Sequence, residues 1–129
     1  MFYMKILIVD DSTNWRRFHR NNLKYLGIND SDITSADCAY DALSKIETSI
    51  DNPYDVILTD LQMESNFLPK LAGEWLVEQI QTFDEYKNAK ITIISACEDI
   101  KYIARKLKVN YIPKPKLINS DAQIYKQCF

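Results

Sequence analysis

The chain has 129 residues, 47% hydrophobic and 26% charged, with a formal net charge of −2. That balance predicts one globular domain around one core and gives no reason to expect DNA or an anionic membrane as the main partner. Its two glycines, Gly27 and Gly73, are too few and too far apart for the glycine-rich loops that cradle nucleotide phosphates.

Short apolar runs alternate with amphipathic stretches along the chain, the pattern of βα units around a parallel sheet. Ile6-Leu7-Ile8-Val9 reads as the first strand. Ser12 or Thr13 can cap the helix that follows, with Trp15, Phe18, Asn22 and Leu26 on one face and Gly27 as its stop. His19, the single histidine, stands among Arg16, Arg17 and Arg20 and reads as a solvated surface residue. A weaker strand spans Ile33 to Ala36, and the second helix turns Ala39, Ala42, Leu43 and Ile46 inward before Asn52-Pro53.

Val56-Ile57-Leu58 is the third strand, and the helix after it carries Trp75, Leu76, Ile80 and Phe83. Ile91 to Ile94 is the fourth strand, and Ile100, Ile103, Ala104 and Leu107 match the i, i+3, i+4, i+7 template. The basic residues Lys101, Arg105, Lys106 and Lys108 on this stretch read as a solvated face. Tyr111-Ile112 is a short fifth strand, and a brief last helix would gather Ile118, Ala122, Tyr125 and Phe129 on one side. Five such units predict an α/β fold: a doubly wound, open, parallel five-stranded sheet of order 2-1-3-4-5, flavodoxin-like. Ligands of such sheets bind beyond the carboxyl ends of the strands.

The N-terminus runs from a short apolar stretch into Asp10-Asp11, without the longer apolar region and cleavage site of a signal peptide. No segment approaches the ~20 apolar residues that span a bilayer. Cys38, Cys97 and Cys128 show neither disulfide pairing nor metal spacing. These features lead to the expectation of a cytoplasmic protein with reduced thiols.

Asp10 and Asp11 follow the first strand, Asp60 the third and Ser95 the fourth, and Lys114 lies just past the fifth. Taken singly, each residue could be a helix cap or a solvated loop group. Together they place three carboxylates, a hydroxyl and an ammonium on one rim. Three converging acids repel one another unless a cation sits among them. An all-oxygen donor set without His or Cys suits Mg²⁺, which favours one or two carboxylates, waters and an incoming phosphate.

Asp10-Asp11-Ser12, Asp60-Leu61-Gln62-Met63, Ser95-Ala96 and Lys114-Pro115 resemble the response-regulator receiver domain, and Ala36 to Leu43 resembles that family's second-helix segment. The resemblance covers nearly the whole chain. It implies a single receiver domain over residues 1–129, of the chemotaxis-regulator kind, with no output domain. Asp60 would be the phosphoacceptor. Asp11 and Asp60 would ligate Mg²⁺, with Mn²⁺ able to substitute, Asp10 would reach it through water, and the Gln62 backbone carbonyl would complete the set. Lys114 would pair with the phosphoryl group, Ser95 would donate its hydroxyl to it, and Tyr111 would turn inward with Ser95 as the switch. The implied partners are a sensor histidine kinase or phosphotransfer protein and a downstream protein target, with neither nucleic acid nor membrane bound directly. The domain would assist its own phosphorylation and dephosphorylation without being a conventional enzyme.

Glu64 stands where the family usually has proline, Ala39 replaces a usual glycine, and the loop from Glu64 to Ala72 is longer than usual. Phe67, Leu68 and Leu71 in that loop would either pack on the third helix or form a partial lid. Two other functions compete. A haloacid-dehalogenase-like phosphohydrolase needs a second acid two residues after its nucleophile, but Ser12 and Gln62 occupy the corresponding positions. A pseudo-receiver would keep the fold as an unphosphorylated interaction module; such domains usually lack an acid or the lysine, all of which are present here.

Overall fold

Side chains alternate between the two faces of a strand, so each continuous apolar run supplies two cores at once. The computed structural model describes residues 3–129 and shows this division throughout. Its elements are β1 (Ile6–Val9), α1 (Thr13–Tyr25), β2 (Ile33–Ala36), α2 (Ala39–Thr48), β3 (Val56–Thr59), α3 (Ala72–Ile80), β4 (Lys90–Ser95), α4 (Ile100–Leu107), β5 (Asn110–Pro113) and α5 (Lys114–Ile118). The sheet is wholly parallel in the order β2-β1-β3-β4-β5, as predicted. Leu7, Val9, Ile57 and Ile93 face α2, α3 and α4, while Ile6, Ile8, Leu58 and Ile94 face α1 and the C-terminal segment. Burying each such side chain contributes roughly 1.5–3 kcal/mol, so the two apolar layers are the main stabilising element.

Three local expectations are corrected. His19 is buried, only 2% exposed, and its Nδ1 lies 2.6 Å from the Tyr125 hydroxyl. The inward face of α1 carries His19 and Leu23, with Trp15 and Phe18 half-buried beside them. Asn22 is also only half-buried, and its side-chain amide donates to Phe18 O. The arginines around His19 in sequence point elsewhere on the helix, so they give no guide to its own direction.

The C-terminal segment is not one helix. Five-residue α5 ends at Ile118 with Asn119 as its C-cap, Asp121 accepts from Gln123 N, and a 3₁₀ helix spans Ala122–Cys128. Ile118 is consequently 68% exposed, while Leu117, Ala122, Tyr125 and Cys128 are buried. Phe129 packs partly against the same cluster, as expected.

Part of the long loop packs on α3, the first of the two readings open for it. Phe67 stacks on Trp75 with ring centroids 4.1 Å apart, and Tyr40 of α2 joins them. Leu71 packs partly against the core and Leu68 is exposed. The basic face of α4 is exposed as expected, with Lys106 paired to the largely buried Glu74 of α3. Among the described residues no helix is long and apolar enough to cross a membrane.

Burial, with the Lys114 charge, pushes the His19 imidazole from its ordinary 6.5 down to about 3. Between those values the unfolded chain takes up a proton that the folded chain refuses. Stability should therefore fall as pH drops below about 6.5, by up to ~1.4 kcal/mol per pH unit from this residue. Urea denaturation of wild type and His19→Gln across pH 4 to 7 checks this: the wild-type slope should be steeper, and parallel slopes would refute it.

Candidate functional site

The register of the parallel sheet brings the ends of β1 and β3 side by side. Val9 pairs with Thr59, so Asp10 and Asp60 leave neighbouring strands at the same level. The main chain continues the ladder for one more step, with Asp60 N donating to Val9 O at 2.9 Å and Asp10 N to Ala36 O at 3.1 Å. The carboxylate oxygens of Asp10, Asp11 and Asp60 then lie within 4.8 Å of one another. Asp10 and Asp60 are 1% and 6% exposed, whereas Asp11 faces solvent and leaves the rim open on one side.

Lys114 reaches in from the end of β5. Its Nζ lies 2.9 Å from Asp60 Oδ2 and 2.9 Å from Asp10 Oδ2. The Asp60 contact is an aligned hydrogen bond; that to Asp10 is an ion pair without hydrogen-bond alignment. The ammonium also sits 4.9 Å from the centre of the Trp15 ring, a cation–π contact supplied by α1. Burial works to lower the Lys114 pKa, but its contacts with Asp10 and Asp60 outweigh burial and raise it. Asp11 is raised by burial and by the nearby charges of Asp10 and Asp60.

The remaining contacts fix orientation. Asp60 Oδ1 accepts from Leu61 N at 2.7 Å, and Asp10 Oδ1 accepts from Ser12 N at 2.9 Å. Arg16 donates to the Asp10 carbonyl, and Thr59 Oγ1 donates to the Asp60 carbonyl. Ser95 is buried at the end of β4 with its Oγ accepting from Cys97 N. Tyr111 is half-buried on β5 against the α2–α4 side of the core, while Tyr102 is 69% exposed on α4. Ile103 and Leu107 are core residues. Gln62 is exposed at one end of a groove of about 360 Å³ that runs between the loop, α3 and α4. A cavity of about 500 Å³ at the amino-terminal ends of β4 and β5 is lined by none of these residues.

Three carboxylates within 4.8 Å face one ammonium, so the rim carries an excess of negative charge and an all-oxygen donor set. That set fits a hard divalent cation. Sequence reasoning missed the Trp15 ring beneath Lys114 and the close approach of Gly73, whose N–H donates to Leu61 O at 2.9 Å. It also missed Glu64, whose carboxylate accepts from Ala39 N and Tyr40 N at the start of α2. A cysteine, a weak capping residue, at position 38 was the one available hint that this helix needs a distant cap.

Comparison with known proteins places this doubly wound sheet, with its rim of three acids and a lysine, in an established family. The model of the response regulator receiver domain matches residues 6–120. Chemotaxis protein CheY1 of Helicobacter pylori is 31% identical over 115 residues, covering 87% of this chain and 86% of its own. Chemotaxis protein CheY-3 of Vibrio cholerae is 34% identical over 115 residues, covering 87% and 81%. Among solved structures, chemotaxis response regulator CheY4 of Vibrio cholerae superposes with a TM-score of 0.76 at 20% identity, covering 98% of this chain and 95% of that one. Response regulator TrrA of Thermotoga maritima, solved in complex with Mg²⁺-BeF, superposes with a TM-score of 0.72 at 22% identity, covering 98% and 99%. The chain belongs to the response regulator receiver family. Members of this family are signalling switches of two-component systems rather than conventional enzymes.

Proposed function

We propose that this domain is switched by phosphorylation of Asp60, with a histidine kinase or phosphotransfer protein as donor, and that the modified form binds a downstream protein differently. The observation that carries the reading is the buried Asp60 carboxylate, 2.9 Å from Lys114 and grouped with two other acids. An Asp60 oxygen attacks phosphorus as the bond to the donor histidine nitrogen breaks. The Leu61 N–H limits rotation of the attacking carboxylate, and Lys114 offsets charge on the phosphoryl oxygens.

Asp10, Asp11, Asp60 and the Gln62 carbonyl would hold Mg²⁺, which supplies charge neutralisation for the transferring group. The Mg²⁺-BeF complex of TrrA, a relative in fold, supports that choice of ion. After transfer, the Ser95 hydroxyl turns from Cys97 N–H toward a phosphoryl oxygen, and half-buried Tyr111 follows it inward. The surface thus altered is the one formed by α4, β5 and α5.

Incubation with acetyl phosphate tests the reading. The protein should accumulate covalent phosphate only with Mg²⁺ or Mn²⁺, and EDTA should abolish it. Steady turnover without accumulation would indicate a hydrolase, and no reaction an interaction module. Asp11→Ala should weaken Mg²⁺ binding by at least about tenfold, measured by tryptophan fluorescence. Unchanged affinity would remove Asp11 from the ligand set.

A further inference from the structure

The β3–α3 loop is tied to a second helix by a side chain that the proposed chemistry does not use. Ala39 N donates to Glu64 Oε1 at 2.7 Å and Tyr40 N donates to Glu64 Oε2 at 3.1 Å. These are the first two N–H groups of α2, which have no partner within the helix. The helix's own N-cap is weak: Cys38 Sγ accepts only from Asp41 N, at 3.4 Å. Glu64 therefore supplies the cap from another element, where a carboxylate also suits the positive end of the helix dipole.

The tether has a second end. Leu61 is fully buried, its carbonyl accepts from Gly73 N, and its N–H is bound to Asp60 Oδ1. Between the fixed Leu61 and the fixed Glu64 lie only Gln62 and half-buried Met63. The Gln62 backbone is thus held from both sides, although its side chain is exposed. Phe67 stacked on Trp75 anchors the loop further on, but three residues beyond Glu64.

We infer that Glu64 is a positioning residue for the cation: its two hydrogen bonds to the start of α2 hold the Gln62 carbonyl in place for the metal. This rests on the function proposed above. Both Glu64 carboxylate oxygens are engaged by the start of α2, so the residue acts on metal affinity through the loop and not on the attacking carboxylate. Removing it leaves Asp60, Asp11 and Lys114 intact. The reaction at saturating Mg²⁺ should then survive while the Mg²⁺ requirement rises.

Two variants separate positioning from simple helix capping. In Glu64→Ala, amide exchange at Ala39 and Tyr40 should quicken, and Mg²⁺ half-saturation should rise about tenfold, the scale seen when an outer support of a metal site is lost. The rate of acetyl phosphate labelling at saturating Mg²⁺ should stay within about twofold, because the groups that touch the phosphoryl remain. Adding Cys38→Ser gives α2 a better local cap. The double variant should recover wild-type thermal stability yet keep the weakened Mg²⁺ affinity, since the loop remains untethered. Wild-type Mg²⁺ affinity in Glu64→Ala would overturn the inference, as would recovery of that affinity in the double variant. If wild type itself neither bound Mg²⁺ nor took up phosphate, the proposed function would fall together with this role. A wild type that does both beside an unaffected Glu64→Ala removes the role alone.

Discussion

Asp60→Asn should take up no phosphate from acetyl phosphate or from a kinase, a fall in labelling by several orders of magnitude. The amide has nearly the shape of the carboxylate but is not a nucleophile at neutral pH. Its oxygen can still accept from Leu61 N, as Asp60 Oδ1 does at 2.7 Å, so the strand end need not move. Two opposing changes act on stability. The Lys114 ammonium loses a charged partner at 2.9 Å, while Asp10 and Asp11 lose a like charge within 4.8 Å. The balance should leave the folded state within about 1 kcal/mol of wild type, because a shared ion pair is weakened as a repulsion is relieved. Circular dichroism and urea denaturation establish the fold, and labelling measures the loss. Full labelling of a folded Asp60→Asn protein would put the acceptor elsewhere.

Gly73→Ala should be the most damaging small substitution. A Cβ at that position would stand 1.9 Å from Asp60 O and 2.8 Å from Leu61 Cα, both main-chain atoms of the segment just past β3 that carries the acceptor. Neither can move aside as a side chain would. Relief requires α3 to shift away from β3, breaking the Gly73 N–H bond to Leu61 O. The expected destabilisation is at least about 3 kcal/mol, above the usual range for an added methylene because backbone must move. The urea midpoint measures it. Any folded fraction should also label slowly, since the displaced segment carries Asp60 and Leu61. A loss below about 0.5 kcal/mol, the range of an ordinary surface change, would contradict the close approach.

Much of this was legible from residue order. Runs such as Ile6 to Val9 and Ile91 to Ile94 are buried on both faces, and only a covered parallel sheet accepts that pattern. The strand ends then brought Asp10, Asp60 and Lys114 together once the order was known, with Ser95 level with Pro113 at the end of β4. What the sequence hid depended on contacts between distant segments. His19 is inward because Tyr125, over a hundred residues later, fills the space above α1. Trp15, Phe18 and Leu26 do pack against the core, but the fully buried positions of α1 are His19 and Leu23 beside them, so the inward stripe is centred about one residue away from the predicted one. Glu64 could not be read as a cap because its helix precedes it by twenty-five residues. The break at Asn119-Ser120-Asp121 has capping residues that a longer apolar spacing disguised.

The central claim is that Asp60 carries the phosphate, and its position can be read directly. The protein is phosphorylated by acetyl phosphate with Mg²⁺, reduced with borohydride, digested and sequenced by mass spectrometry. Reduction converts an aspartyl phosphate to homoserine. The account predicts homoserine at position 60 alone, absent when EDTA is present. Homoserine at position 10 or 11, phosphate retained on His19, or an unmodified Asp60 despite bound Mg²⁺ would contradict it.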